Sequence, residues 1–183
     1  AVKWAIVRRI TPGIVIGGLL GAAIADVLPS RTLQIMFVIF MFAIAVQFGF
    51  GILAATASRT LPGPVGMSLA GTVIGAASSL FGVGGGSMSV PFMTWCSVAV
   101  RQAIATSAAI GLPIALSSTA GYIVAGWNDP RLPPWSVGYV VLPAFIGIVV
   151  ASALAAPLGA RLAHRLSETT LRRIFALFVA ILG

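Results

Sequence analysis

The sequence predicts an all-α integral membrane protein, a multi-span helical bundle, and three observations lead to this fold class. Hydrophobic residues make up 59% of the chain and charged residues 8%, whereas a soluble domain carries about 25% charged residues. The mean hydropathy is +1.09. The basic residues stand singly or in pairs between apolar runs, so we interpret the net charge of +8 as a topology signal rather than a nucleic-acid-binding surface.

The residues needed for metal binding or catalysis are nearly absent from the sequence. There is one cysteine, Cys96, one histidine, His164, and three acidic residues. One cysteine excludes an internal disulfide framework and a multi-cysteine metal site. We therefore predict no metal, no cofactor and no enzymatic activity.

Apolar segments follow one another along the chain and are separated by turn-forming residues. They cover roughly residues 10–28, 33–57, 65–98, 103–127, 135–160 and a last run that begins near 170. The connections contain prolines, and Trp4, Trp127 and Trp135 stand at segment ends, as in an interfacial aromatic belt. Residues 171–183 form too short a run for a span of about 20 residues, so we expect a fragment of a longer chain.

The third segment is interrupted by SLFGVGGGSMSVP, residues 79–91. Gly82, Gly84, Gly85, Gly86 and Pro91 disfavour a continuous helix. The break leaves halves of about 15 and 12 residues, each too short to span a bilayer alone. The segment is therefore either one kinked crossing or a re-entrant hairpin that enters and leaves on the same side.

The distribution of basic residues favours the hairpin. With a cytoplasmic N-terminus, the hairpin places nine of the 11 basic residues inside and only Arg31 and Arg131 outside. A crossing places five inside and six outside, against the positive-inside rule. The nine inside residues are Lys3, Arg8, Arg9, Arg59, Arg101, Arg161, Arg165, Arg172 and Arg173.

An internal repeat relates the two ends of the chain. GAAIADVLPSRTLQIMFVIF from Gly21 aligns with GARLAHRLSETTLRRIFALF from Gly159. Three predicted crossings separate the copies, so the repeats are inverted, as in many secondary transporters. We assign residues 1–64 to the end of a first repeat with two spanning helices and residues 65–183 to a second repeat. The second repeat holds the broken hairpin at 65–98, spanning helices at about 103–127 and 135–160, and a truncated helix from 170. A further glycine-rich break is expected upstream.

Two motifs carry a resemblance to a known family. GVGGGSMSVPFM, followed by RQAIATSAAIGLPIALSSTAGY, resembles the TauE/SafE sulfite-exporter family of membrane permeases over essentially the whole chain. The resemblance implies a multi-pass protein of the bacterial inner membrane that carries a small sulfur-containing anion such as sulfite or an organosulfonate. By the same resemblance, the A-x-A-T-S pattern points to Thr106 and Ser107 as substrate-binding residues.

The glycine motif has three interpretations. The first is a nucleotide-binding loop, but the motif lacks the Lys-Ser/Thr that such a loop needs. Close helix packing through small residues remains open. We favour an anion site, because glycine exposes peptide N–H groups and a half-helix that begins near Ser87 directs its positive end toward the break. The predicted substrate-binding residues are Gly82, Gly84, Gly85, Gly86, Ser87, Pro91, Thr106 and Ser107.

Other hydroxyl groups near the break allow both a structural and a functional interpretation. Thr106 and Ser107 are also expected to bond to carbonyls of their own helix, as hydroxyl side chains in lipid often do. Ser78 and Ser79 precede the break, and the two interpretations are equally supported for them.

Two function classes stay open. The first is a permease for a small sulfur-containing anion that works by alternating access, with the bilayer and the anion as its partners. The second is a membrane scaffold or assembly subunit that packs through small-residue helix faces. Whether copies associate into a homo-oligomer is left open.

Overall fold

The computed structural model describes residues 2–50 and 60–165, and these ranges are almost entirely helical. Four of the helices are long and apolar enough to cross a membrane, which confirms the predicted all-α membrane fold class. The elements, in chain order, are α1 (Trp4–Val27), α2 (Ser30–Phe50), α3 (Pro64–Phe81), α4 (Gly86–Trp95), α5 (Val100–Ala125), β1 (Ser136–Val137), β2 (Val140–Val141) and α6 (Leu142–Arg165).

Helices α1 and α3 run in the same direction and are packed backbone against backbone. A Cβ added at Gly17 would collide with the Thr72 carbonyl, and one added at Gly21 would stand 2.5 Å from the Ala76 carbonyl oxygen. From the other side, a Cβ at Gly75 would stand 2.5 Å from the Ile14 carbonyl oxygen. Glycine at every fourth position of both helices lets them approach this closely, which is a common packing mode in membranes.

Helix α5 joins the pair in the same direction. The Lys3 backbone N–H donates to Thr106 Oγ1 at 3.0 Å near one end, and Gly121 lies against Ala22 near the other. The core fills the space between these helices with side chains that are fully buried: Ile10, Ile14, Met67, Met93 and Ile110. Helices α1, α3 and α5 therefore all begin at the same end of the bundle, which we call the basic end because Lys3, Arg8, Arg9 and Arg101 lie there.

The chain must return to the basic end between α3 and α5, and it does so through the glycine-rich break. Helix α3 starts with Pro64 in its first turn and stops at Gly82, which has φ +62°. Proline suits a helix start and left-handed glycine suits a helix stop. The third apolar segment is predicted to have halves of about 15 and 12 residues. Helices α3 and α4 contain 18 and 10 residues instead, because the interruption is confined to residues 82–85.

Helix α2 contacts the break from outside the three parallel helices. The rings of Phe40 and Phe81 stack with centroids 4.3 Å apart. Val83, within the break, packs against the buried pair Met41 and Ile44. These apolar contacts hold the end of α3 and the start of the returning segment on α2.

The helix predicted over 135–160 starts later than expected. Residues 136–141 form a small antiparallel hairpin in which Ser136 pairs with Val141 and Val137 with Val140. Gly138, with φ +56°, approaches the backbone of Ile123 so closely that a Cβ would not fit. This contact anchors the hairpin on the end of α5, so α6 begins only at Leu142.

Several predictions fall outside the described residues. They include the end of the second apolar segment, Arg59, and the helix expected from residue 170. The second copy of the repeat lies largely there too, so the inverted repeat and the division into repeats at residue 64 remain predictions.

We expect Gly17→Ala to destabilise the protein by about 1–3 kcal/mol or more, since the added methyl group must push α3 away from α1. The matched control is Gly111→Ala on α5, where an added Cβ meets no atom of the described chain within 4 Å. Thermal unfolding of the purified full-length protein measures both variants. Equal stability of the two would contradict the backbone packing of α1 on α3.

Candidate functional site

The first turn of α4 exposes backbone donors inside the bundle. Its N-cap is Gly85, and no side chain caps it. The earliest backbone bonds are Ser87 N–H to the Gly84 carbonyl at 3.3 Å and Ser89 N–H to the Gly85 carbonyl at 2.8 Å. Within the described ranges, the N–H groups of Gly85 and Gly86 donate to no backbone carbonyl. Such groups at a helix start attract an anion.

This helix start lies about half-way along α5. A Cβ added at Gly85 would stand 2.5 Å from Ile114 Cδ1 and 3.7 Å from Ile110 Cγ2. A Cβ added at Gly86 would stand 3.5 Å from Ser107 Oγ. Since α5 runs from Val100 to Ala125, the exposed N–H groups lie deep between the ends of the bundle rather than at either end.

Three serine hydroxyls surround the start of α4. Ser87 and Ser107 are 8% and 3% exposed, and Ser89 is fully buried. The Ser87 hydroxyl donates to the Gly84 carbonyl at 3.3 Å. The Ser89 hydroxyl, 3.5 Å from the position of a Gly85 Cβ, has no hydrogen-bond partner in the described part of the chain. A buried hydroxyl without a partner is costly, so the Ser89 hydroxyl is a candidate hydrogen-bond donor to a ligand.

We call these groups the α4 site: Gly85, Gly86, Ser87 and Ser89 from α4, and Ser107 from α5. The site brings together four of the predicted residues and adds Ser89. Gly85 and Ser89 are buried, whereas the Gly86 backbone is exposed. A small ligand therefore has access to the site at Gly86.

Thr106, which the sequence pairs with Ser107, has a second role in the structure. Its side chain is fully buried, and its Oγ1 accepts the Lys3 N–H at the start of α1. Successive residues of a helix point in directions about 100° apart. Thr106 thus holds α1 on α5, while Ser107 faces Gly86.

The other predicted residues shape the region around the site. Gly82 ends α3, and Gly84 supplies the carbonyl that accepts from Ser87. Pro91 and Ser87 line a cavity of about 440 Å³ between α2, α3 and α4, whose other lining side chains are apolar except for the indole N–H of Trp95. Since Ser87 belongs to both, this largely apolar cavity adjoins the α4 site.

Ser78 and Ser79, just before the break, have side chains that are 3% and 2% exposed. Neither hydroxyl has a partner among the described residues. The Tyr122 hydroxyl donates to the Ser79 carbonyl at 2.8 Å, which fixes the last turn of α3 on α5.

The end opposite the basic end carries the described carboxylates. The Tyr139 hydroxyl donates to Asp26 at 2.6 Å, and this bond to a carboxylate raises the Tyr139 pKa. Arg131 forms a bidentate pair with Asp129 at 2.9 Å and lowers the pKa of that carboxyl to about 2. In the described ranges, no three His, Cys, Asp or Glu side chains converge as metal ligands.

Sequence reasoning missed two features. The glycines at every fourth position, Gly13, Gly17 and Gly21 on α1 with Gly71 and Gly75 on α3, were a readable signal for close packing. Ser89 was visible two residues after Ser87 in the glycine motif, but a sequence does not reveal which hydroxyl lacks a partner.

Comparison with known proteins supports a transporter. The sequence is 39% identical to a probable membrane transporter protein of Haemophilus influenzae over 120 residues. The aligned residues are 66% of this chain and 46% of that protein. Over 115 residues, 63% of the chain, it is 26% identical to a probable membrane transporter protein of Methanocaldococcus jannaschii, of which this covers 42%. The aligned part is thus about half the length of these relatives. No solved structure matches.

A family model extends the comparison to the whole chain. The model for the sulfite exporter TauE/SafE matches residues 1–183, including the glycine break and the helix that carries Ser107. The chain therefore belongs to the TauE/SafE sulfite exporter family of membrane proteins.

Proposed function

We propose that this chain forms part of a permease that carries a small sulfur-containing anion, such as sulfite or an organosulfonate, across the bacterial inner membrane by alternating access. The observation that carries the proposal is the start of α4. The N–H groups of Gly85 and Gly86 donate to no backbone carbonyl of the described chain and lie half-way along the bundle, close to the Ser89 hydroxyl, which has no partner among the described residues. Broken backbone at membrane depth is tolerated where it is buried in protein or lines a wet cavity.

The α4 site has the chemistry that an oxyanion needs. Sulfite and sulfonate groups present three oxygens that accept hydrogen bonds. The backbone offers two N–H donors at Gly85 and Gly86, and the hydroxyls of Ser89 and Ser107 are placed beside them. Hydrogen bonds to a charged group are stronger than those between neutral groups, so such a site binds an anion without a charged side chain.

We further propose that α3 and α4 form a re-entrant hairpin that opens to the cytoplasm, within an inverted repeat. The parallel directions of α1, α3 and α5 support this, because residues 64–99 then start and finish at one end. Lys3, Arg8, Arg9 and Arg101 lie at that end, as the positive-inside rule expects of the cytoplasmic side. The aligned part covers 46% and 42% of the two relatives, which leaves room in a longer protein for a second break.

The scaffold alternative is less well supported. It needs small-residue faces that are free to receive partner helices. The glycines of α1 and α3 instead pack against each other within this chain. A scaffold also gives no reason for an uncapped helix start at the middle of the bundle, or for a Ser89 hydroxyl that has no partner among the described residues.

We expect Ser89→Ala and Ser107→Ala each to weaken anion transport about tenfold or more, since a hydrogen bond to a charged group contributes roughly 1.5–3 kcal/mol. Sulfite flux into proteoliposomes, normalised to folded protein, measures the effect. Ser117→Ala is the matched control, because Ser117 is another buried serine of α5, but its side chain faces Gly18 of α1 rather than α4 and its hydroxyl donates to the Pro113 carbonyl of its own helix. Equal flux in all three variants would contradict the site.

We expect Gly86→Ala to reduce flux while the protein stays folded. Its Cβ first meets Ser107 Oγ at 3.5 Å, an ordinary contact, and the methyl group occupies space in front of the donors. Gly85→Val is a poorer test, because even its Cβ collides with Ile114 Cδ1 and loss of folding accompanies loss of binding. Thermal unfolding and flux are compared for both variants. Wild-type flux in Gly86→Ala would show that the backbone N–H groups do not bind the anion.

We expect cysteines placed at positions 3 and 101 to be labelled from the cytoplasmic side and one at position 31 from the opposite side. A background lacking Cys96 keeps the labelling specific. A membrane-impermeant thiol reagent applied to intact and to permeabilised cells distinguishes the sides. Labelling of positions 3 and 101 from opposite sides would exclude the re-entrant hairpin.

A further inference from the structure

A second cavity lies at the basic end, away from the α4 site. It has a volume of about 360 Å³ and is formed by the first turns of α1 and the residues that lead into α3. Lys3 and Arg9 both line it, together with Trp4. Apolar groups of Ile6, Leu61, Pro62 and Met67 complete its walls. We call it the basic pocket.

The two cations of the basic pocket have no carboxylate partner in residues 2–50 and 60–165. The ion pair found in these ranges joins Arg131 to Asp129. Both described carboxylates lie at the opposite end of the bundle. Asp26 is in the last turn of α1, and Asp129 follows the end of α5. Two like charges that share one cavity repel each other unless an anion is bound between them.

The other walls indicate what kind of anion fits. Met67 is 1% exposed and Ile6 is 5% exposed, so they form a solid apolar floor. Trp4 is 64% exposed at a helix end, the position in which tryptophan contacts lipid headgroups. Arg9 lies about one and a half turns further along α1 than Lys3, and long basic side chains near membrane ends extend toward the interface. A free inorganic anion gains nothing from contact with apolar side chains, whereas the acyl chain of a lipid does.

We propose that the basic pocket binds the headgroup of an anionic phospholipid. The phosphate lies between Lys3 and Arg9, and the first part of an acyl chain lies against Trp4 and Leu61. Basic pockets between helices on one face of a membrane protein recognise lipid phosphates in this way. Because Lys3 also bonds through its N–H to Thr106, a lipid held there stabilises the contact between α1 and α5.

The test uses purified full-length protein and short-chain phosphatidylglycerol or phosphatidylcholine, with bound lipid counted by native mass spectrometry. Wild-type protein is expected to retain phosphatidylglycerol in preference to phosphatidylcholine. Each basic residue near an anionic lipid surface contributes about a fivefold change in affinity, so Lys3→Gln/Arg9→Gln should weaken phosphatidylglycerol binding about thirtyfold. The control Arg8→Gln/Arg101→Gln removes the same charge from the same end, outside the pocket, and should change binding less than about threefold.

Three results would overturn the proposal. The first is a wild-type protein with no preference between the two lipids. The second is an equal loss in both double variants, which would assign binding to general surface charge. The third is thermal stabilisation by inorganic phosphate as large as that by phosphatidylglycerol, which would assign the pocket to a free anion. If the glutamine variant fails to fold, Lys3→Arg/Arg9→Lys must keep the lipid preference.

Discussion

The close backbone contact between α1 and α3 is the constraint on which the rest of this structure depends. It requires glycine at Gly13, Gly17 and Gly21 on one helix and at Gly71 and Gly75 on the other, because a Cβ at any of these positions would enter the backbone of the facing helix. In a bilayer such packing replaces the hydrophobic driving force that is missing between apolar helices. It fixes the two helices as a parallel pair, and the Lys3–Thr106 bond adds α5 in the same direction.

The reversal of the chain follows from that parallel packing. With α3 and α5 both starting at the basic end, residues 82–99 must travel back over much of the bundle. A continuous helix is unable to do this, so Gly82 stops α3 and the chain restarts as α4 beside Ile110 and Ile114. The restart leaves backbone N–H groups that have no backbone acceptor among the described residues, and the hydroxyls of Ser89 and Ser107 lie close to them. The reversal of the chain and the backbone donors at the start of α4 thus both arise from the same glycine-rich break.

The fold class and the position of the break were predictable, because composition and glycine spacing determine them directly. The hydrophobic runs give the spans, and four glycines within five positions leave no continuous helix. Helix starts were less predictable: α6 begins at Leu142 because Gly138 packs against Ile123, a contact between residues 15 positions apart in sequence. For the site, Gly85, Gly86, Ser87 and Ser107 could be inferred from motif and resemblance. The different roles of Thr106 and Ser107 could not, since they depend on which neighbour each side chain faces.

The parallel directions of α1, α3 and α5 have an electrostatic consequence. Their positive N-terminal ends lie together at the face that carries Lys3, Arg8, Arg9 and Arg101, and none of the three has an acidic residue in its first turn. Cations are stabilising at the opposite, negative ends of helices. Here the partial charges and the full charges add, and the face has a positive potential that concentrates counter-ions. This potential weakens as salt shortens the screening length, which is about 8 Å at physiological ionic strength.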